Sequence, residues 1–250
     1  MNKNKILALI TAGVLVVAIG TALILLNLST ETVDRQDPTK IESYTLIRYE
    51  DGNNHNGTSH GKPVGTTSCY SFLSKGAKWK EIEPWVVNPS NLRGLDELFV
   101  FDNLTLDIIK WETPASKDII GNGTSTYDIF WADTVAPDGK NEIYFDYISE
   151  PGVIAKTIIW GYFGGVPQNR ELIEFDMIID DVKYDWSSIG ESGKMDFENI
   201  ISHELGHAFG LGHPDDSCVE ETMYRYADFG ETKKRTLNTG DIKGIQELYK

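Results

Sequence analysis

The chain has 250 residues, 40% hydrophobic and 11% aromatic, which is ample for a folded body with a real core. Its formal charge is −15, from 38 acidic against 23 basic residues. That balance argues against a nucleic-acid partner, since no basic stripe is present to neutralise phosphates.

Lys3 and Lys5 precede an apolar run over residues 6–28, broken only by Thr11, Gly13, Gly20, Thr21 and Asn27. The run is longer than the roughly 7–15 residues of a signal-peptide core and long enough for the roughly 20 that span a bilayer. No small-x-small cleavage site follows it. Lysines before the run and Glu31 and Asp34 after it leave the N-terminus in the cytoplasm by the positive-inside rule. The sequence thus predicts a cytoplasmic tail at 1–5, a transmembrane signal anchor at 6–28, a stalk at 29–66 and a folded domain at 67–250 outside the membrane. A cleaved, secreted form is the alternative.

The stalk holds a candidate short strand at 44–49, then a run of turn formers from Asp51 to Gly61. His55 and His60 in that run read as solvated rather than as metal ligands. Asn56, Asn103 and Asn122 head Asn-x-Ser/Thr triplets, which suits outside exposure.

In the body, residues 85–88 before Pro89 predict a first strand. Leu95, Leu98, Phe99, Asp102, Leu106 and Ile109 follow helical spacing and predict a helix over 92–111. Residues 127–131 and 141–147 predict further strands. Residues 153–163 and 172–179 predict a strand pair joined by a Gly-rich loop. Asp196 is an expected N-cap for a helix over 197–209, and Asn238 for a closing helix with Asp241 in its first turn. Ile242, Ile245, Leu248 and Tyr249 form the buried stripe of that last helix. A strand, a helix, several strands and then helices make an α+β architecture. No internal repeat is visible.

The chemistry concentrates in His203-Glu204-Leu205-Gly206-His207, continued by Gly210 and His213. Histidines four apart on a helix share a face, so both imidazoles reach one metal ion. Glu204 stands one step round, placed to touch a water on that metal. Gly210 can take the left-handed conformation that ends a helix, after which His213 returns as a third ligand. Three neutral nitrogens with one open position describe a catalytic zinc site. A plain amphipathic helix with incidental histidines is the rival, and three of the chain's five histidines falling in this stretch weigh against it.

This string resembles the metzincin pattern of zinc endopeptidases. Glu221-Thr222-Met223-Tyr224 resembles their Met-turn, which makes Met223 a support beneath the metal and not a ligand. The closing stretch from Leu237 to Tyr249 is similar to the last helix of the matrixin branch. The resemblance implies a zincin-like fold: a twisted mixed sheet, an active-site helix, a Met-turn and a C-terminal helix. It implies one catalytic Zn²⁺ on His203, His207 and His213, with Glu204 as general base. Gly152-Val153-Ile154-Ala155 is similar to the edge strand whose main chain pairs with extended substrate, so Ile154 and Ala155 are expected to bind it.

The departures carry expectations of their own. Matrixins hold a structural zinc partly through His on two strands, where Lys156 and Glu174 stand here. One zinc is therefore expected. Asp176, Asp180 and Asp181 could bind calcium, with solvated surface carboxylates as the plainer reading. The propeptide Cys of matrixins lies in an Arg-Cys-Gly setting that Cys69 lacks, and the place of the extra Tyr ligand of some metzincins is taken by Arg225.

Only two cysteines are present, and an oxidising exterior favours a Cys69–Cys218 bridge. Closing so long a loop is worth roughly 5 kcal/mol in the chain-entropy model. The rival is Cys69 as a thiolate on zinc. The expected function is a monomeric endopeptidase cutting extended protein substrates outside the membrane. A non-catalytic adhesion or scaffold module that keeps the zinc helix is the alternative.

Overall fold

The computed structural model describes residues 37–51 and 68–250. The predicted tail, anchor and most of the stalk, with His55, His60 and Asn56, lie outside the described residues. Among the described residues, no helix is long and apolar enough to cross a membrane.

In chain order the strands and helices are β1 (Ile41–Glu50), β2 (Ser71–Phe72), β3 (Glu83–Asn88), α1 (Glu97–Ala115), β4 (Ile120–Ser125), β5 (Asn141–Asp146), β6 (Val153–Tyr162), β7 (Glu171–Asp180), β8 (Trp186–Ser187), β9 (Met195–Asp196), α2 (Phe197–Ala208), β10 (Leu211–Gly212), β11 (Tyr226–Ala227) and α3 (Thr239–Leu248). The architecture is α+β. Seven strands form one mixed sheet in the order β11-β1-β6-β7-β5-β3-β4. β3, β4, β5 and β7 run parallel, while β6 is antiparallel to both β7 and β1.

Alternation along β6 divides its side chains between two cores. Ala155 and Ile159 face the main core with the helices, and Ile158 and Trp160 face a smaller cluster on the other side. α1 packs Val100, Leu104, Ile108 and Trp111 into the main core. α2 is buried all round, through Phe197, Ile200, Ile201, Leu205 and Ala208. Its polar side chains Asn199, Ser202, His203, Glu204 and His207 are buried with them.

Caps set the helix ends. Asp96 accepts from the Phe99 N–H at 2.8 Å, so α1 begins five residues later than periodicity predicts. Asp196 caps α2 by accepting from the Asn199 N–H at 3.0 Å, and Arg235 grips the same carboxylate with Nε at 2.7 Å. Asn238 and Asp241 make a reciprocal capping box at α3.

Three expectations need correction. Residues 127–131 form no strand: Tyr127, Ile129 and Trp131 project outward and find no neighbouring strand, because β4 has taken the place beside β3. The short strand expected at 44–49 is present but longer, over residues 41–50, and it belongs not to a stalk but to the main sheet, pairing with β6 from Ile41↔Tyr162 to Tyr49↔Val153. β6 is therefore flanked on both sides, and Ile154 and Ala155 are buried inside the sheet and not at its edge.

Candidate active site

α2 points His203 and His207 at one spot. The chain turns at Gly210, whose φ is +100°, and brings in His213 behind β10. The Nε2 atoms of His203 and His213 lie 3.2 Å apart, and those of His207 and His213 3.1 Å apart. Three nitrogens bound tetrahedrally at about 2.0–2.1 Å from zinc sit roughly 3.3 Å from one another, so this spacing fits that ion.

The far ring nitrogens fix the tautomer. His203 Nδ1 meets the Thr222 carbonyl at 2.7 Å and His207 Nδ1 the Leu211 carbonyl at 2.8 Å. A carbonyl only accepts, so each Nδ1 carries the proton and each Nε2 keeps a free lone pair for a metal. Burial pushes all three imidazoles below their ordinary pKa, His207 to about 4, which keeps them neutral.

Glu204 is fully buried beside them. Its Oε2 accepts from Thr157 Oγ1 at 2.5 Å, while Oε1 has no partner. Burial raises its pKa to about 7, against the pull of Thr157 and the Arg48 charge. An unpartnered carboxylate oxygen in such a place is costly unless something it serves comes to it. A buried carboxylate with one free oxygen beside a metal seat is equipped to take a proton there.

Met223 forms the floor. It is almost completely buried, and a Cβ on Gly206 would come within 2.2 Å of its Sδ. Only glycine at 206 lets that turn approach α2. The turn is fixed from α3: Asp241 accepts from the N–H groups of Thr222 at 2.7 Å and Met223 at 3.1 Å. Glu221 Oε2 in return accepts from Gly240 and Asp241. Cys69 and Cys218 are joined by a disulfide with Cα atoms 5.5 Å apart, which ties the start of the body to the segment after His213.

Several participants escape sequence reading. Asp107 and Lys110 of α1 brace α2 through Ser202 at 2.8 and 3.0 Å, and Trp111 Nε1 donates to the Ser202 carbonyl at 2.8 Å. Thr157 carries no motif; only its position on the inward face of β6, opposite the zinc helix, would have marked it. Arg48 is wholly buried against the histidines. It lies in a stretch that sequence alone assigns to the stalk.

A second cluster lies across the sheet. Carboxylate oxygens of Asp133, Glu174 and Asp176 lie within 4.8 Å of one another. Glu174 and Asp176 are buried, and Glu174 Oε1 has no partner. Burial pushes both pKa values up to about 7, and neighbouring carboxylates add to it, Asp133 and Asp138 at Glu174 and Glu174 and Asp133 at Asp176. Asp180 and Asp181 are not surface groups either. Asp180 accepts from Ile148, Val182 and Lys183 N–H groups, and Asp181 from Leu92. Lys156 pairs with Glu150.

A convergent His₃ seat, a neighbouring carboxylate and a methionine floor on an α+β scaffold leave few families to consider. The matrixin model of the peptidase M10 group matches residues 81–250. The chain belongs to the matrixin family. It is 44% identical over 213 residues to metalloendoproteinase 5-MMP of Arabidopsis thaliana, covering 76% of this chain and 50% of that protein. Human matrilysin is 40% identical over 65 residues, 26% of this chain and 22% of the relative. The 72 kDa type IV collagenase of Gallus gallus is 45% identical over 51 residues, 20% of this chain and 7% of the relative. The matched stretch spans half or less of these relatives. Matrixins are zinc-dependent, and this member has the three-histidine group that such a metal needs.

Proposed function

We propose that this matrixin is a zinc endopeptidase, with His203, His207 and His213 holding one zinc ion and Glu204 as the general base. The observation that carries the reading is the convergence of three Nε2 atoms beside a buried carboxylate with one oxygen unpartnered. When bound, zinc would supply Lewis acidity, lowering the pKa of water toward about 7 and polarising the scissile carbonyl.

The protein's own groups do the rest. Oε1 of Glu204 takes a proton from the attacking water and returns it to the leaving amine. Such a shuttle typically contributes about 10²–10⁴-fold. Thr157 holds the other oxygen, so the acceptor is aimed and does not swing. Met223 supports the metal seat without ligating it. The segment from Cys218 to Tyr226, pinned by the disulfide, walls the pocket that selects one side chain.

The protein acts outside the cell membrane on protein substrates as a monomer, held by the predicted anchor at 6–28 and the remaining stalk, or released by secretion. Calcium, or another hard divalent cation, fits Asp133, Glu174 and Asp176 better than Asp180 and Asp181. Three carboxylates converge there and Glu174 Oε1 has no partner, although N–H groups of Gly139 and Asp133 hold one oxygen each of Glu174 and Asp176; at Asp180 N–H groups take both oxygens.

Incubating the protein with a mixed peptide pool, with and without a chelator and after zinc is restored, tests the reading by mass spectrometry of the products. Cuts that vanish on chelation and return with zinc are expected. Persistent absence of cuts, with zinc bound, would favour the adhesion or scaffold module instead.

A further inference from the structure

Residues 127–131 join no strand, yet they are fastened across the sheet on the face away from α2. Asn88 of β3 donates its Nδ2 to the Asp128 carbonyl at 2.9 Å, and Trp160 of β6 its Nε1 to the Asp133 carbonyl at 2.8 Å. The Asp133 N–H donates to Asp176 of β7 at 2.7 Å. Phe130 packs on Tyr144 of β5 with ring centroids 6.0 Å apart, and Ala132 packs on the same cluster. About five residues thus cross from β3 to β6 over strands spaced about 4.8 Å apart, which takes a nearly extended chain.

Extension turns alternate side chains outward. Tyr127, Ile129 and Trp131 are 71, 78 and 75% exposed. The other five tryptophans of the chain, Trp79, Trp85, Trp111, Trp160 and Trp186, are buried. Outward side chains two residues apart stand about 6.6 Å from one another, the repeat of alternate side chains in any extended polypeptide. The Tyr127 hydroxyl donates to Glu97 Oε2 at 2.8 Å, so the strip is presented in a fixed arrangement and loses little entropy when a partner lies on it. An exposed apolar strip of this kind, rimmed by polar groups, marks an interaction site.

The rim has one sign. Residues 126–146 carry Asp128, Asp133, Asp138, Glu142 and Asp146 against Lys140 alone, and Lys140 is paired with Asp138. The buried acids beneath feel this field, since Asp133 and Asp138 both raise the pKa of Glu174. A divalent cation at Asp133, Glu174 and Asp176 would bring two positive charges against the two further carboxylates it engages, so the negative excess stands. Such a rim repels anionic lipid headgroups and attracts cations, and aromatic faces attract them too. The strip ends at Trp160, three residues along β6 from Thr157, which holds Glu204.

We propose that Tyr127, Ile129 and Trp131, with Asp128 and Asp138 beside them, are a docking strip for an extended, arginine- or lysine-rich polypeptide segment. That segment is part of the protease's substrate if the endopeptidase reading holds, and the strip then selects basic proteins at a distance from the histidine site.

The test uses the full chain, stripped of zinc so that nothing is cut, and a dye-labelled, Trp-free peptide of about ten residues with arginine at alternate positions. Anisotropy should show saturable binding, absent for the same peptide with glutamate in place of arginine. Raising salt from about 0.1 to about 1 M, which shortens the Debye length from roughly 10 to 3 Å, should weaken it severalfold. Trp131→Ala should weaken it about tenfold, as the loss of an aromatic anchor does. Asp128→Asn with Asp138→Asn should weaken it as well and flatten the salt dependence. Acrylamide quenching in the unlabelled chain reads Trp131, and the arginine peptide should reduce it. Equal binding of the glutamate peptide, or unchanged binding in Trp131→Ala, overturns the proposal. So does quenching reduced by phosphatidylcholine vesicles and not by the arginine peptide.

With zinc restored, Trp131→Ala should raise KM about tenfold for a substrate that carries the arginine segment, with kcat unchanged, and should not affect a short neutral substrate. An unchanged KM for the arginine substrate overturns the proposal and leaves the endopeptidase reading in place. Arginine-peptide binding that passes every control, in a zinc-loaded chain that cuts nothing, sinks the endopeptidase reading and upholds the docking strip.

Discussion

Asp241 holds Met223 in place from eighteen residues away, its Oδ1 accepting the Met223 N–H at 3.1 Å while Oδ2 accepts that of Thr222 at 2.7 Å. The same Oδ2 caps α3 through the Asn238 N–H at 2.8 Å. One buried carboxylate therefore starts the last helix and fixes the turn beneath the histidines. The Thr222 carbonyl in that turn orients His203.

Replacing Asp241 with Asn keeps the shape but turns an amide N–H₂ toward backbone N–H groups. One unsatisfied buried donor costs about 1–3 kcal/mol. Asp241→Asn should lose about that much stability in urea denaturation. It should also bind zinc more weakly than a surface variant of equal stability, since His203 loses its orienting carbonyl.

Gly206→Ala tests the floor. In an exposed helix the change would stabilise by about 1 kcal/mol. Here the new Cβ would meet Met223 Sδ at 2.2 Å and the Trp111 ring at 2.8 Å, and overpacking of that kind costs about 1–3 kcal/mol. A lower Tm is expected, recovered in part by pairing it with Met223→Ala. A rise in Tm for Gly206→Ala alone would mean that Met223 does not pack on α2.

Much of this was legible in the sequence. The capping signals at Asp196, Asn238 and Asp241 and the apolar runs of β6 and β7 are local, so they read correctly without a fold. β4 did not, because Ile120-Gly121-Asn122-Gly123 looks like a turn. The glycine at 123 is there because a Cβ would strike the Trp85 ring at 2.1 Å, which is a tertiary fact. β1 was read as a short strand of the stalk, since only its pairing with β6 shows that it belongs to the main sheet. Thr157 and Arg48 were invisible for the same reason: each matters through a neighbour more than forty residues away.

Thr157→Val should reach Glu204 through the lost hydrogen bond. The hydroxyl donates to the ionised carboxylate and so favours it. Removing it should lower kcat about tenfold, at the low end of what one aimed proton acceptor contributes. The acid limb of the kcat profile should move to higher pH, with KM little changed. A shift to lower pH would contradict the assignment.

The acidic cluster predicts a pH-dependent stability of a definite sign. Glu174 and Asp176 have folded pKa values raised to about 7, above their unfolded values. The folded state therefore binds more protons between pH 4 and 7, and stability from these groups is present at low pH and lost as pH rises through that window. Asp133, Asp138 and Glu142 add repulsion, and Lys140 relieves Glu142 in part. Tm should fall between pH 5 and pH 7.5, the fall should shrink in Glu174→Gln, and calcium should raise Tm at pH 7.5 only when Glu174 is present.

The central claim is that Glu204 is the proton acceptor beside a zinc held by His203, His207 and His213. The direct test is Glu204→Gln, with zinc content and peptide cleavage measured on the same sample. Zinc retained at one ion per chain, with cleavage reduced about 10²–10⁴-fold, is the predicted result. Cleavage at the unsubstituted rate with zinc in place would contradict it.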